Sequence, residues 1–320
     1  MNIDKILVSL GEPQSTFSEI LFKYFSSNNF KKNNKKIIII GNKNLLKKQM
    51  KKLKYNFSFN EIIELKSAKK KLINIINVDY KFKKTFTKIS SSSNNYIRKC
   101  FDLSLKILKK NNSVAFINGP VSKKHFLKKK YPGITEYISK NTNTNKQVML
   151  IYNEKLSVSP ITTHIPIKNV TKNITKKKII TKKKMIKKFY KKIIKKKPKI
   201  AILGLNPHCE TNDKKNEEKI LIVPAINFLK KKKYKVSGPH SADTFFLNKN
   251  LKSYDVVIGM YHDQVLTPIK TLFKFNAINI TLGLPFIRIS PDHGPNSKML
   301  GKNISDPSSF FYAIHFLNKI

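Results

Sequence analysis

Val256-Val257-Ile258-Gly259-Met260-Tyr261-His262-Asp263-Gln264 is an apolar run that ends at a histidine. Two further stretches repeat the arrangement: Leu156 to Ile161 leads into Thr162-Thr163-His164, and Lys199 to Leu205 into Asn206-Pro207-His208. Short apolar runs of this kind read as buried strands. In an open α/β sheet, ligand-binding groups collect at the carboxyl ends of strands. Three neutral imidazoles so placed suit a divalent ion that keeps open positions for a substrate. The competing reading is three unrelated loop histidines, because long-range histidine spacing carries no standard signature.

Working outward, strand-like and helix-like stretches alternate. Lys5 to Leu10, Ile37 to Ile40 and Ser113 to Ile117 read as strands, as do Val148 to Tyr152 and Ala277 to Thr281. Asn94 to Lys110 carries Ile97, Phe101, Leu105 and Leu108 at helical spacing, with Ser and Asn upstream to cap it. Thr171 to Lys197 reads as one amphipathic helix with a lysine-covered solvent face, followed by Pro198. A last helix is expected from Ser308. The pattern predicts an α/β protein with a parallel or mixed sheet, or two such sheets.

The composition narrows the function classes. The chain has 320 residues, 40% of them hydrophobic, enough for a real core. Its formal charge of +47 suggests nucleic acid. However, Arg98 and Arg288 are the only arginines, and Lys, Asn and Ile are abundant together. That is the signature of A/T-rich codons, and the lysines are spread along the chain without aromatic platforms. No specific nucleic-acid partner is therefore expected. Neither a membrane span nor a signal peptide is visible. Cys100 and Cys209 form no disulfide framework, which suits a reducing cytoplasm.

Arg288 sits in an apolar stretch where a solvated lysine would be out of place. Its rigid fork suits a carboxylate or phosphate; the alternative is a structural ion pair. No G-x-G-x-x-G and no P-loop occurs, so a dinucleotide would have to bind outside the usual fingerprint. The candidate for that is the glycine- and proline-containing loop from Asp292-His293-Gly294 to Asp306-Pro307.

Taken together, Gly119-Pro120-Val121-Ser122-Lys123, Thr162-Thr163-His164, Leu203 to His208, Gly238-Pro239, Ala242-Asp243-Thr244, Tyr261 to Gln264 and Asn279 to Arg288 resemble the 4-hydroxythreonine-4-phosphate dehydrogenase family of pyridoxal phosphate biosynthesis. The resemblance implies an isocitrate/isopropylmalate dehydrogenase-like fold. That fold has two α/β/α domains, expected at 1–140 plus 290–320 and at 141–289, with an active-site cleft between them. It implies that His164, His208 and His262 bind one divalent metal, of which zinc, cobalt, manganese and magnesium all remain open. Thr135, Lys270, Asn279 and Arg288 would contact the anionic substrate. Lys123, Asp243 and Asp263 would serve the chemistry, with Lys123 or Asp243 as the base. NAD or NADP would lie along His293, Gly294, Gly301 and Asp306. A homodimer with shared active sites is implied as well.

The chain departs from the family pattern in places. The family's N-terminal glycine-rich run is here Gly11-Glu12-Pro13-Gln14-Ser15-Thr16-Phe17-Ser18-Glu19, with two glycines replaced by bulkier residues. Gly133-Ile134-Thr135-Glu136 carries isoleucine where the family has a hydrogen-bonding histidine. Two alternatives to the family activity follow: a sibling dehydrogenase acting on another phosphorylated hydroxy acid such as a 4-phosphoerythronate-like compound, and a non-catalytic relative that binds polyanions.

Overall fold

The computed structural model describes residues 3–128, 130–210, 216–247, 251–274, 276–291 and 294–320. Among them the strands run, in chain order, β1 (Lys5–Ser9), β2 (Lys36–Gly41), β3 (Phe59–Glu61), β4 (Ile73–Asn77), β5 (Val114–Asn118), β6 (Val148–Tyr152), β7 (Ser157–Pro160), β8 (Ile200–Leu203), β9 (Val236–His240), β10 (Val256–Gly259), β11 (Ile278–Leu282) and β12 (Arg288–Ser290). The chain divides into two compact units, one formed by Met1–Asn145 with Leu284–Ile320 and the other by Lys146–Gly283.

In the first unit the strand order is β3-β4-β2-β1-β5-β12, and every pairing between these neighbours is parallel. Parallel strands are covered on both faces, so β1, β2 and β5 are almost wholly buried. The helix Asn94–Lys110 lays Ile97, Phe101, Leu105 and Leu108 on this sheet, in a core shared with Leu7, Ile38 and Phe116. β12 was not expected as a strand. It has three residues and pairs Arg288 with Phe116 of β5, so its place is set by tertiary contact rather than by local pattern.

The second unit has the order β11-β6-β7-β10-β8-β9. β6 is antiparallel to both β7 and β11, whereas β7, β10, β8 and β9 are mutually parallel. The stretch expected to be one long helix is broken. A short turn of helix at Val170–Asn173 ends at Ile174, whose backbone is extended. Thr175 then accepts a hydrogen bond from the Lys178 amide and starts a new helix, Lys176–Phe189. A wider helical turn at Tyr190–Ile194 stops at Lys195 in the left-handed region. The lysine face is not wholly solvated either, because Lys182 and Lys183 are buried. Lys182 Nζ donates to the carbonyl of Pro160, and Lys183 Nζ lies over the ring of Tyr234, 2.9 Å from its centroid.

Candidate functional site

The three histidines follow three neighbouring parallel strands. His164 comes after β7, His262 after β10 and His208 after β8, and β10 lies between the other two. Adjacent strands are ~4.8 Å apart, so the loops leave one edge side by side. They are also bonded to each other. The Ile161 amide donates to Gly259 O (2.7 Å), while the Thr162 amide and hydroxyl both donate to Met260 O (3.1 and 2.9 Å). Gln264 accepts from the Met260 amide (2.6 Å) and donates to Gly204 O (2.8 Å), which joins the ends of β10 and β8. Gly259 has to be glycine, since a Cβ there would stand 2.4 Å from Val265 Cγ1.

Glu218 holds the loop of His208. Its side chain is buried, and Oε1 accepts from the amides of Leu205 (2.7 Å) and Asn206 (2.9 Å) while Oε2 accepts from Asn206 Nδ2 (2.8 Å). Burial pushes this carboxyl up, but the hydrogen bonds from Asn206 and Leu205 outweigh it and leave the group below its ordinary value. His164 and His208 both occupy the left-handed backbone region, at φ of 53° and 52°. A residue with a Cβ bears roughly 1–3 kcal/mol of strain there, which persists only where surrounding bonds impose it.

The rings of His164 and His262 lie 5.6 Å apart, and Asp263 Oδ1 sits 2.6 Å from His262 Nδ1. A carboxylate on one ring nitrogen orients the other as a ligand. His208 instead has its Nδ1 3.9 Å from Asp243 Oδ2, with both side chains mostly exposed. Asp243 is held below the usual carboxylate range, chiefly by the Ser241 hydroxyl at 2.5 Å. Among the described residues, no three His, Cys, Asp or Glu side chains converge closely enough to hold one ion. The donor chemistry suits a divalent metal and two imidazoles meet, while the third remains with Asp243. In the same unit, Lys270 is exposed on the helix His262–Phe273. Asn279 on β11 has a buried Oδ1 with no hydrogen-bond partner among the described residues.

In the first unit, Arg288 is fully buried. Its Nε donates to Asn118 Oδ1 and its Nη1 to Thr135 Oγ1, each at 2.8 Å. Burial lowers the guanidinium to about 10, with Glu136 acting in the opposite sense. Thr135 and Arg288 are thus brought together. The hydrogen bonds of Arg288 to Asn118 and Thr135 are to uncharged side chains. Ile134 points into apolar surroundings and packs against the core cluster of Phe101 and Phe116. Lys123 is exposed in the turn Lys123–Leu127, which begins at Ser122, whose hydroxyl accepts from the His125 amide (3.2 Å).

The bulkier N-terminal run closes its turn with side chains. Ser15 Oγ donates to Glu12 O (2.7 Å) and accepts from the Phe17 amide (3.3 Å), while buried Glu12 accepts from Gln14 N and Ser93 Oγ. Gly11 remains necessary there, since a Cβ would lie 2.4 Å from Pro120 O. Of the residues expected along the dinucleotide, His293 lies outside the described residues. A Cβ added to Gly294 would meet no described residue within 4 Å apart from its chain neighbours, and Gly301 makes a left-handed turn at φ 74° against Phe86. Asp306 accepts from the Ser308 amide (2.8 Å) just ahead of the helix Ser308–Asn318.

Residues 33–317 match the profile of the pyridoxal phosphate biosynthetic protein PdxA. The chain belongs to this family. Within the PdxA family, the 4-hydroxythreonine-4-phosphate dehydrogenase of Sulfurihydrogenibium sp. is 38% identical, over 97% of this chain and 96% of its own length. The D-threonate 4-phosphate dehydrogenase of Pectobacterium atrosepticum is 34% identical, over 67% of this chain and 68% of its own. The crystal structure of 4-hydroxythreonine-4-phosphate dehydrogenase from Klebsiella pneumoniae matches at a TM-score of 0.85 with 26% identity and covers 98% of each chain. Sequence reasoning had not singled out Asn118, Glu218 or Gln264 as site residues. Gln264 follows His262 by two positions and Asn118 ends an apolar strand, signals that were available. Glu218 carried none.

Proposed function

We propose that this chain is an oxidoreductase that takes 4-phosphooxy-L-threonine to 2-amino-3-oxo-4-phosphooxybutanoate, a β-keto acid that then loses carbon dioxide to give 3-amino-2-oxopropyl phosphate. The observation that carries the reading is the row of His164, His262 and His208 at adjacent parallel strand ends, in a chain of the PdxA family. A divalent metal and a nicotinamide dinucleotide, NAD or NADP, would supply Lewis acidity toward the substrate hydroxyl and a hydride acceptor.

The chain's own residues then take separate parts. His164 and His262 would hold the metal, with Asp263 fixing the His262 ring through Nδ1. His208 would complete the set by turning from Asp243, which releases that carboxylate as a candidate base; Lys123 is the other candidate. Arg288 is too deeply buried to meet a ligand at large. We assign it as a positioning residue, since its donation to Thr135 Oγ1 leaves the threonine proton directed at the substrate. Asn279 would meet a substrate donor through its unpartnered Oδ1, and Lys270 an anionic group. The dinucleotide would pass along Gly294, on the side where a Cβ would meet no described residue within 4 Å. A homodimer in the cytoplasm belongs to this reading; no helix among the described residues is long and apolar enough to cross a membrane.

The test is NADH formation from 4-phosphooxy-L-threonine by chelated protein, with and without added divalent metal, beside calorimetric metal titration of the parent chain and of His262→Ala. Metal-dependent turnover, and metal binding lost in the variant, are expected. Turnover indifferent to metal would remove the three-histidine assignment. A second reading has its own support: Ile134 replaces a hydrogen-bonding histidine, and a D-threonate 4-phosphate dehydrogenase is among the relatives. Turnover of D-threonate 4-phosphate in place of the amino acid would establish it.

A further inference from the structure

The loop from Pro295 to Asp306 needs outside support to keep its shape. Asn296, Gly301 and Asn303 all occupy the left-handed backbone region, at φ of 51°, 74° and 59°. Asparagine tolerates that region better than most residues but is still strained there, so surrounding bonds must impose it. The helix Phe17–Phe25 and the residue before it supply most of them. The Thr16 amide donates to Pro295 O (3.2 Å). Glu19 is 1% exposed, and its Oε1 accepts from the Ser305 amide (2.5 Å). Lys23, one helical turn on, pairs with the same Oε1 (3.1 Å) and donates to Asn303 O (3.1 Å) and Ser305 O (2.6 Å). The Tyr55 hydroxyl adds a bond to Asn303 Oδ1 (3.0 Å).

An ammonium has three protons, and three oxygens lie within 3.1 Å of this one. Lys23 therefore has no donor left for a phosphate. What it occupies are the loop's carbonyls, whereas the amides of Gly301, Asn303 and Ile304 have no acceptor among the described residues. Asn303 and Ile304 are exposed. Backbone amides beside left-handed residues form concavities that take anionic groups. We propose that Glu19 and Lys23 are positioning residues for the dinucleotide. They hold Asn303 to Ser305 in the conformation that receives an anionic group of the cofactor, and act through the loop rather than on the ligand. This rests on the placement of the dinucleotide along this loop proposed above. Apparent affinity scales with the fraction of molecules whose loop is competent to bind, so a support that never meets the cofactor still sets how tightly it is held.

Titration of the full chain with NADH and with NADPH, followed by nicotinamide fluorescence, tests the assignment beside hydrogen exchange of the bonded Lys302 and Ser305 amides. Lys23→Met should weaken dinucleotide binding about tenfold, as when the competent loop falls to about one molecule in ten. Its Lys302 and Ser305 amides should exchange faster, and saturating dinucleotide should slow them again. Lys23→Arg keeps a charged donor and should recover most of the affinity, a rescue that a general loss of stability would not show. Tyr55→Phe removes one hydroxyl bond at a partly exposed position and should weaken binding several-fold. That variant keeps the test decisive if Lys23→Met fails to fold. A parent chain that binds neither dinucleotide overturns the placement of the cofactor, and this proposal with it. A parent that binds, with Lys23→Met and Tyr55→Phe binding equally well, overturns the proposal alone. So does weaker binding in Lys23→Met without faster loop exchange, since Lys23 would then be meeting the cofactor itself.

Discussion

Replacing Glu218 by glutamine should loosen the loop that carries His208 while barely changing side-chain volume. In the parent chain one carboxylate accepts three hydrogen bonds, from Leu205 N, Asn206 N and Asn206 Nδ2. Glutamine can keep the two to Oε1, now as neutral bonds, but its amide nitrogen opposes that of Asn206. A charge-assisted bond contributes about 1.5–3 kcal/mol and a neutral one about 1. Losing one and weakening two should cost roughly 2–4 kcal/mol, or about 5–10 °C in melting temperature. Circular dichroism melts at neutral pH measure this directly. The pH dependence gives a second reading. Because the folded carboxyl lies below its ordinary value, its contribution is present above the unfolded pKa and disappears as pH falls through the folded one. The gap between parent and Glu218→Gln should therefore be widest near neutrality and close below pH ~4.5. Melting temperatures within a degree of each other at pH 7, or a gap that persists undiminished in acid, would refute the role assigned to Glu218.

Four further outcomes are expected. Thr135→Val removes the acceptor of Arg288 Nη1 inside the core, and should cost about 1–3 kcal/mol in urea unfolding together with a large loss of turnover. Lys182→Met should flatten the pH dependence of stability. Burial depresses both Lys182 and Lys183 to about 7, so unfolding takes up protons between pH 7 and the ordinary lysine value, and parent stability should rise across that window; a parent melting temperature that falls from pH 7 to 9 contradicts this. Gly259→Ala should yield little folded protein, because the new methyl meets Val265 where the strand turns into its helix. Ile134→His should shift the ratio of turnover between 4-phosphooxy-L-threonine and D-threonate 4-phosphate; an unchanged ratio would exclude this position from specificity.

Much of the sheet was legible because parallel strands, buried on both faces, appear as continuous apolar runs. Val148 to Tyr152 is strand β6 as read, and Val256 to Met260 exceeds β10 by one residue. β4 also went unread, although Ile73 to Ile76 is buried, and β3, β9 and β12 escaped for the opposite reason. Phe59-Asn60-Glu61 is half polar, Val236 to His240 contains Gly-Pro, and Arg288-Ile289-Ser290 is too short for any period. The long lysine-rich stretch misled because Thr175 serves equally as a mid-helix residue or a cap. Two lysines also fall on its buried side, where Pro160 O and the Tyr234 ring receive them. At the candidate site, strand polarity alone put the three histidines on one edge. What that reasoning could not supply were the bonds from Glu218 and Asn118, since side chains reaching across a fold leave no spacing in the sequence.

The stitching of the strand ends through Thr162, Met260, Gln264 and Gly204 has a consequence for how this rim tolerates change. Each loop borrows its backbone bonds from its neighbour, so a shift in one is handed on to the next. Damage there should spread sideways rather than stay local. The positions most sensitive to substitution will then include residues that never meet a substrate, and a neutral glutamine will be as hard to replace as any histidine on this edge.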